Sequence, residues 1–135
     1  MKTKMKKGGA VFLVVVFAIA LMATITMGIL VMTTEEVQLM KNQLYAAQAM
    51  CVAETGLNDA FAQIRTSSSW TTGFTGKAFS PYGSYTVTVA GTLPTRTITS
   101  TATSSQGYTA RVSADVTVGT SSPYIIRIDK LRINE

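Results

Sequence analysis

Few side chains in this sequence are suited to catalysis, and their spacing argues against it. The 135 residues include no histidine and one cysteine. An imidazole base, a histidine–cysteine metal site and an intrachain disulfide are therefore excluded. Glu54 and Asp59 lie five positions apart, and two carboxylates at that spacing on a helix do not face each other. We expect no enzymatic activity, no metal and no cofactor.

Cys51 and a basic stretch near the end of the sequence are the next candidates. On a helix we expect a lone cysteine to be a small buried apolar residue, with an intermolecular disulfide as the alternative. Arg127, Lys130 and Arg132 form a basic patch that could contact nucleic-acid phosphates, but neighbouring carboxylates dilute it. A solvated strand face is the simpler interpretation, so we expect no nucleic-acid partner.

Four aromatic side chains follow one another between residues 70 and 82. Aromatic residues are enriched at recognition surfaces, so an exposed binding surface is one interpretation. Covering the end of a small hydrophobic core is the other. The four residues are Trp70, Phe74, Phe79 and Tyr82.

The main element of the sequence is an uncharged segment from Gly8 to Thr34, directly after four lysines. Within it, Ala10 to Met32 supplies the roughly 20 apolar residues that a helix needs to cross a bilayer. The lysines predict a cytoplasmic N-terminus. Without them the formal charge falls from +5 to +1, since eight basic and seven acidic side chains remain. The basic character therefore indicates topology and not nucleic-acid binding.

The helical pattern continues beyond the membrane span. No proline occurs before Pro81, and good helix formers fill 38–63. Apolar residues recur there at three- and four-residue steps, as on one face of an amphipathic helix. We predict one continuous helix, with a transmembrane or filament-core part over 9–34 and an amphipathic part over 35–65. The residues expected to pack on a sheet are Leu44, Cys51, Leu57, Phe61 and Ile64.

Small and hydroxylated residues interrupt the aliphatic span. Thr24, Thr26 and Gly28 are of the kind that helices use to pack against one another in lipid. Threonine bonding back to its own helix is the alternative. The residues that we expect to pack between helices are Leu13, Val14, Thr24 and Gly28.

From Thr66 onwards the sequence is rich in Ser, Thr and Gly, which predicts a loop over 66–83. Polar and apolar residues then alternate, which predicts antiparallel strands with one buried face. We expect an α+β fold in which the long helix packs on a small antiparallel sheet over 84–135. The predicted strands are 85–89, 96–103, 108–118 and 124–128, the last of them extended or frayed over 129–135.

A basic leader ending in glycine, an apolar helix, an amphipathic half and a small antiparallel sheet together resemble the type IV pilin superfamily over the whole chain. The resemblance is most specific within 43–60. There Ala46-Ala47-Gln48-Ala49 and Ala53-Glu54-Thr55-Gly56-Leu57 are similar to the helix of PilX-type minor pilins and GspK-like pseudopilins. It implies a pilin-like fold and a structural subunit of a type IV pilus or a type II secretion pseudopilus.

The resemblance also implies processing. A prepilin peptidase would remove the leader, residues 1–8, by cutting after Gly8 or Gly9, and the new first residue, Gly9 or Ala10, would be N-methylated. Pilins carry phenylalanine at the first mature position and glutamate at the fifth. Here the fifth is Leu13 or Val14. Family members without this glutamate stand at or near the filament tip, so the resemblance implies a minor, tip or initiating subunit.

The implied partners are other pilins bound through the N-terminal helix, the prepilin peptidase, the inner-membrane assembly platform and, before assembly, membrane lipid. The implied location is the inner (cytoplasmic) membrane, as a single-pass protein with a cytoplasmic N-terminus, and then an extracellular or periplasmic filament. The type of filament stays open. The residues also allow a permanent single-pass anchor for a small extracellular binding domain.

Overall fold

The computed structural model describes residues 7–134, and within them helix α1 runs without interruption over Lys7–Thr66. This confirms the predicted continuous helix. The chain divides into two compact units after Lys41, so the later part of α1 belongs with the sheet. Residues 1–6 of the predicted leader lie outside the described residues, as does Glu135 at the end of the predicted sheet segment.

α1 ends at Thr66, where serines replace good helix formers. The Ser67 N–H donates to the Gln63 carbonyl at 2.8 Å, and the Trp70 N–H donates to the Ser67 carbonyl at 3.1 Å, which forms a turn directly after the helix. Serine side chains favour such turns because they compete with helical hydrogen bonds. The end of the helix lies one residue beyond the predicted one.

Five antiparallel strands form one sheet in chain order. The three predicted central strands are confirmed as β2 to β4. The predicted fourth strand is β5. It continues to Ile133, so it extends through most of residues 129–135, which were predicted either to extend the strand or to fray. The strands are β1 Phe74–Phe79, β2 Gly83–Ala90, β3 Thr95–Ser104, β4 Thr109–Val118 and β5 Ile126–Ile133.

The predicted loop over 66–83 is wrong in its second half, because it contains β1. Five of the six β1 residues are exposed, so the strand lacks the alternation by which strands are recognised. Its pairing with β2 is irregular between Phe74 and Lys77. Gly76 lies in this irregular stretch, has a φ of 57° and donates its N–H to Oγ1 of Thr86 at 3.0 Å. The sheet therefore begins at Phe74.

One face of the sheet packs on the later part of α1, as predicted. The buried helix residues recur at three- and four-residue steps and form one stripe, whereas the buried strand residues alternate. Together they form one hydrophobic core. Its residues are Ala49, Val52, Ala53, Leu57, Ala60 and Ile64 from α1, and Tyr85, Val87, Ile98, Ala102, Ala110, Val112, Ala114, Val116 and Val118 from the sheet.

Two of the five predicted helix–sheet packing residues are wrong. Leu44 is 56% exposed and Cys51 is exposed. The reason is angular: Cys51 follows the buried Ala49 by two positions, which is roughly 200° around a helix of 3.6 residues per turn. Cys51 is therefore not the buried apolar residue that we expected. The three remaining residues, Leu57, Phe61 and Ile64, pack in or against the core.

Gly56 lies at a close contact between α1 and the sheet. A Cβ added to it would lie 2.7 Å from Cδ2 of Tyr85 and closer still to Oγ of Ser100. The contact therefore needs a residue without a side chain, although glycine costs about 1 kcal/mol in a helix. Ala53 and Leu57, which flank Gly56 on the same helix, are also buried. The Ala-Glu-x-Gly-Leu segment thus lies within the part of α1 that contacts the sheet, which extends from Ala49 to Ile64.

Candidate membrane and assembly helix

The first candidate functional surface is the apolar part of α1 before Thr34. By length and composition α1 is the one helix among the described residues that is suited to cross a membrane, and none of its most apolar stretch is buried. Leu13 and Val14 are 69% and 64% exposed. Contiguous apolar surface of this size marks a membrane or protein contact. The helix is therefore consistent with single-pass membrane anchoring.

The threonine hydroxyls of this segment bond to their own helix. Oγ1 of Thr24 donates to the carbonyl of Leu21 at 2.8 Å, and Oγ1 of Thr33 donates to that of Ile29 at 2.7 Å. Thr26 bonds in the same way to the carbonyl of Met22. These hydroxyls are satisfied without a second helix. In the single chain the threonines therefore bond to their own helix, which is the alternative that the sequence left open. Packing between helices stays a prediction for Leu13, Val14, Thr24 and Gly28.

Three glycines of this helix have open surroundings. A Cβ added to Gly8, Gly9 or Gly28 would meet no atom within 4 Å. Gly28 therefore has no packing role inside the chain, in contrast to Gly56. Gly8 and Gly9 are both exposed at the start of α1. Their exposure therefore does not distinguish between cleavage after Gly8 and cleavage after Gly9.

The carboxylate of Asp59 connects α1 to the sheet. It accepts a hydrogen bond from Nζ of Lys77 at 2.6 Å and another from the hydroxyl of Tyr85. Nζ of Lys77 also lies 4.6 Å from the centre of the Phe74 ring, within the range of a cation–π contact. Asp59 is therefore occupied in holding β1 and β2, whereas Glu54 is exposed on the helix. Glu54 takes no part in the contacts of Asp59 with Lys77 and Tyr85.

These contacts shift the protonation of all three partners. The hydrogen bonds from Lys77 and Tyr85 lower the pKa of Asp59. The pKa of Lys77 is raised chiefly by its bond to Asp59, and that of Tyr85 is raised chiefly by burial. Each shift favours a charged Asp59–Lys77 pair beside a neutral Tyr85 at neutral pH. The cluster is therefore a structural connection.

The exposed face of the sheet carries two further carboxylates, each with its own partners. Asp115 accepts hydrogen bonds from Thr97 at 2.8 Å and from Arg132 at 2.5 Å. Asp129 pairs with Arg127 at 2.7 Å. Two of the three side chains of the basic patch are thus neutralised. In the described part of the chain, no group of three metal-binding side chains occurs on this face or elsewhere.

Arg96 is a buried charge that sequence reasoning did not single out. It is 6% exposed, and its Nε and Nη1 atoms have no hydrogen-bond partner. The alternation of β3 places Arg96 on the core face together with Ile98. The two-residue spacing between Arg96 and Ile98 is therefore the feature of the sequence that indicates its burial. An unpaired buried charge destabilises a fold unless a partner satisfies it.

The four aromatic residues divide into two pairs instead of one surface. Trp70 and Phe74 pack against the core with ring centroids 5.2 Å apart. Phe79 and Tyr82 lie 5.9 Å apart and are 37% and 48% exposed. Trp70 and Phe74 thus fit the interpretation that these aromatics cover the core, whereas Phe79 and Tyr82 are exposed and their role in binding stays a prediction.

Comparisons with known proteins identify no relative. No family model, no curated protein and no solved structure matches this chain.

Proposed function

We propose that this chain is a minor pilin-like structural subunit, at the tip or the start of a type IV pilus or type II secretion pseudopilus. The single observation that carries the proposal is the form of α1. Its first part is apolar and exposed, and its last part is the main helix of a folded domain. A subunit that assembles through its helix needs both parts in one continuous element.

The same apolar surface serves two environments under this proposal. In the membrane it contacts lipid, and in a filament it packs against the helices of other subunits. The threonines support such a transfer because their hydroxyls are already bonded within the helix. These hydroxyls therefore need no new hydrogen-bond partner when the helix moves from lipid into the apolar core of a filament.

A minor position follows from the absence of charge in the span. The mature fifth residue would be Leu13 or Val14, and neither can supply the carboxylate that a pilin helix pairs with the amine of a neighbour. A charge buried among apolar helices is costly unless it is paired. A subunit without this carboxylate fits a position where no subunit lies above it.

The remaining parts of the proposal concern partners and place. The lysines before Gly8 hold the N-terminus on the cytoplasmic side of the inner membrane. The prepilin peptidase would remove them, and the assembly platform would then move the subunit into an extracellular or periplasmic filament. The folded domain contributes no catalytic site to this function.

Intact-mass measurement of the full-length protein, from cells with and without prepilin peptidase, tests this function. Loss of the leader through Gly8 or Gly9 only in peptidase-positive cells is the expected result. The variants Gly8→Val and Gly9→Val serve as a matched pair, since the one that blocks processing identifies the cleaved bond. An unchanged mass in both strains would leave the permanent membrane anchor.

A further inference from the structure

The exposed side of α1 carries an apolar stripe that the core does not use. Its members recur at alternating three- and four-residue steps, which is the spacing of the a and d positions of a heptad repeat. All of them are exposed. Towards the N-terminus the spacing continues through Thr33 and Leu30 into the apolar span, and in the other direction it ends at Glu54. The heptad stripe consists of Val37, Met40, Leu44, Ala47 and Cys51.

Two charged side chains flank the heptad stripe, one along each of its edges. With Val37 at an a position, Glu36 takes the preceding g position and Lys41 takes the following e position. Both are exposed, and neither forms an ion pair within the described part of the chain. Because they lie five positions apart, they do not face each other on one helix. In a parallel two-stranded coiled coil, however, a g side chain lies beside the next e side chain of the partner helix.

We propose that a second copy of this chain covers the heptad stripe, in a parallel and in-register pair of helices. Glu36 of each copy then lies beside Lys41 of the other, which gives two opposite-charge contacts related by a two-fold axis. The stripe is therefore complementary in charge to itself. An antiparallel pair would place g positions beside g positions, so it would not join Glu36 to Lys41.

Residence in one membrane favours the same orientation and register. Two copies with cytoplasmic N-termini have parallel helices, and spans of equal length in one bilayer place equivalent residues at the same depth. Anchoring both copies also lowers the entropic cost of association, so a short stripe is sufficient. The inference therefore requires only membrane residence, which the proposed subunit and the permanent anchor share. The two copies stand side by side, and neither lies above the other, in agreement with a minor position.

The folded domain leaves part of the heptad stripe beside an open groove. Leu44, Ala47 and Cys51 line this groove of about 320 Å³, which lies between α1 and the end of β1 and is almost wholly apolar. The exposed rings of Phe79 and Tyr82 complete its lining. A second helix along the stripe would therefore also cover these two rings.

Oxidative cross-linking through Cys51, the one cysteine of the sequence, tests this pair in membranes of cells that produce the full chain. The two Cys51 side chains face each other in the proposed pair, so copper-catalysed oxidation by dissolved oxygen should yield a disulfide-linked dimer. Cys51→Ser should yield none. In that background Met40→Cys, at another position of the stripe, should restore the dimer. Leu39→Cys is the matched control, because Leu39 is an equally exposed neighbour outside the stripe, and it should yield none.

Charge reversal tests the register. Lys41→Glu places like charges at both contacts, so we expect the yield of the Cys51-linked dimer to fall about tenfold. Glu36→Lys/Lys41→Glu exchanges the two charges and should restore the yield. Both residues are exposed, so neither variant should disturb the folded domain.

Four results would overturn the inference. The first is the absence of a dimer from both Cys51 and Met40→Cys, and the second is an equal yield from Leu39→Cys, which would indicate random collision. The third is a cross-linked product that contains a different protein. The fourth is a yield that Lys41→Glu leaves unchanged or that the charge exchange does not restore. Removal of the leader is measured separately by intact mass, so a processed protein without a dimer would leave the proposed function intact.

Discussion

Gly56 of α1 lies directly against the ring of Tyr85, where a β-carbon would come within 2.7 Å of Cδ2. The glycine is the fourth residue of the Ala-Glu-x-Gly-Leu segment of α1. Its structural role is to bring the helix close to the sheet, and this role can be measured apart from any question of assembly.

Replacing Gly56 by alanine should destabilise the domain. Helix propensity alone would favour alanine by about 1 kcal/mol, whereas forcing a methyl group into a packed contact costs about 1–3 kcal/mol. We expect the second effect to prevail, because both Tyr85 and Ser100 lie in the way. Chemical denaturation of the detergent-solubilised protein gives the sign. The double variant Gly56→Ala/Ser100→Ala should lose less than Gly56→Ala, and an increase in stability for the single variant would contradict this packing.

The corrected packing stripe leads to a contrast between two leucines of the same helix. Leu57 is buried in the core, so Leu57→Ala should cost about 2–5 kcal/mol. Leu44 is 56% exposed, so Leu44→Ala should change the free energy of unfolding by no more than about 0.5 kcal/mol in unassembled protein. Both variants are measured by the same denaturation. Equal losses of stability in the two variants would support the prediction from the sequence that Leu44 packs on the sheet.

Removing the buried charge of Arg96 should stabilise the domain. Its Nε and Nη1 atoms have no partner, and an unsatisfied buried polar group costs about 1–3 kcal/mol. Methionine retains most of the side-chain volume without the charge, so we expect Arg96→Met to raise the free energy of unfolding. Arg111→Met, at an exposed position of the neighbouring strand, is the control and should have little effect. A loss of stability specific to Arg96→Met would mean that the guanidinium contributes favourably.

The contribution of Asp59 should disappear in acid. Its pKa in the folded chain is lowered below the usual 3.8, so its contribution to stability is complete above that pH and is lost as the pH falls through the lowered value. The wild-type protein should therefore exceed Asp59→Asn in stability at neutral pH. The difference should shrink below about pH 3.8. Denaturation of both proteins across this range measures it, and a difference that grows in acid would reverse the sign.

The sequence predicts the long helix and the central strands because their signals are strong and local. α1 contains no proline and has regular apolar spacing, and β4 alternates cleanly. β1 escapes prediction because edge strands with exposed residues need no alternation, and a glycine interrupts its pairing. Its recognition depends on pairing with β2, which is a tertiary property.

The candidate site is only partly predictable for a related reason. The apolar surface of α1 is a property of composition and is evident from the sequence. The rotation of α1 about its axis determines which side of the amphipathic part faces the sheet. Two apolar stripes of this part could each pack on the sheet. Leu44 and Cys51 belong to one, and Ala49 and Leu57 to the other. The second stripe also contains Ala53, Gly56 and Ala60, and these small residues allow the closer approach, whereas the first stripe stays exposed.

The most direct test of the central claim is where the protein resides when filament assembly is blocked. Membranes and filaments, both those sheared from the surface and those released from the periplasm, would be probed for the protein in cells with and without the assembly motor. We expect the protein in one of the filament fractions only when the motor is present, and its retention in the inner membrane when the motor is absent. The same membrane residence in both strains, with none in the filaments, would contradict the account and identify a permanent membrane anchor.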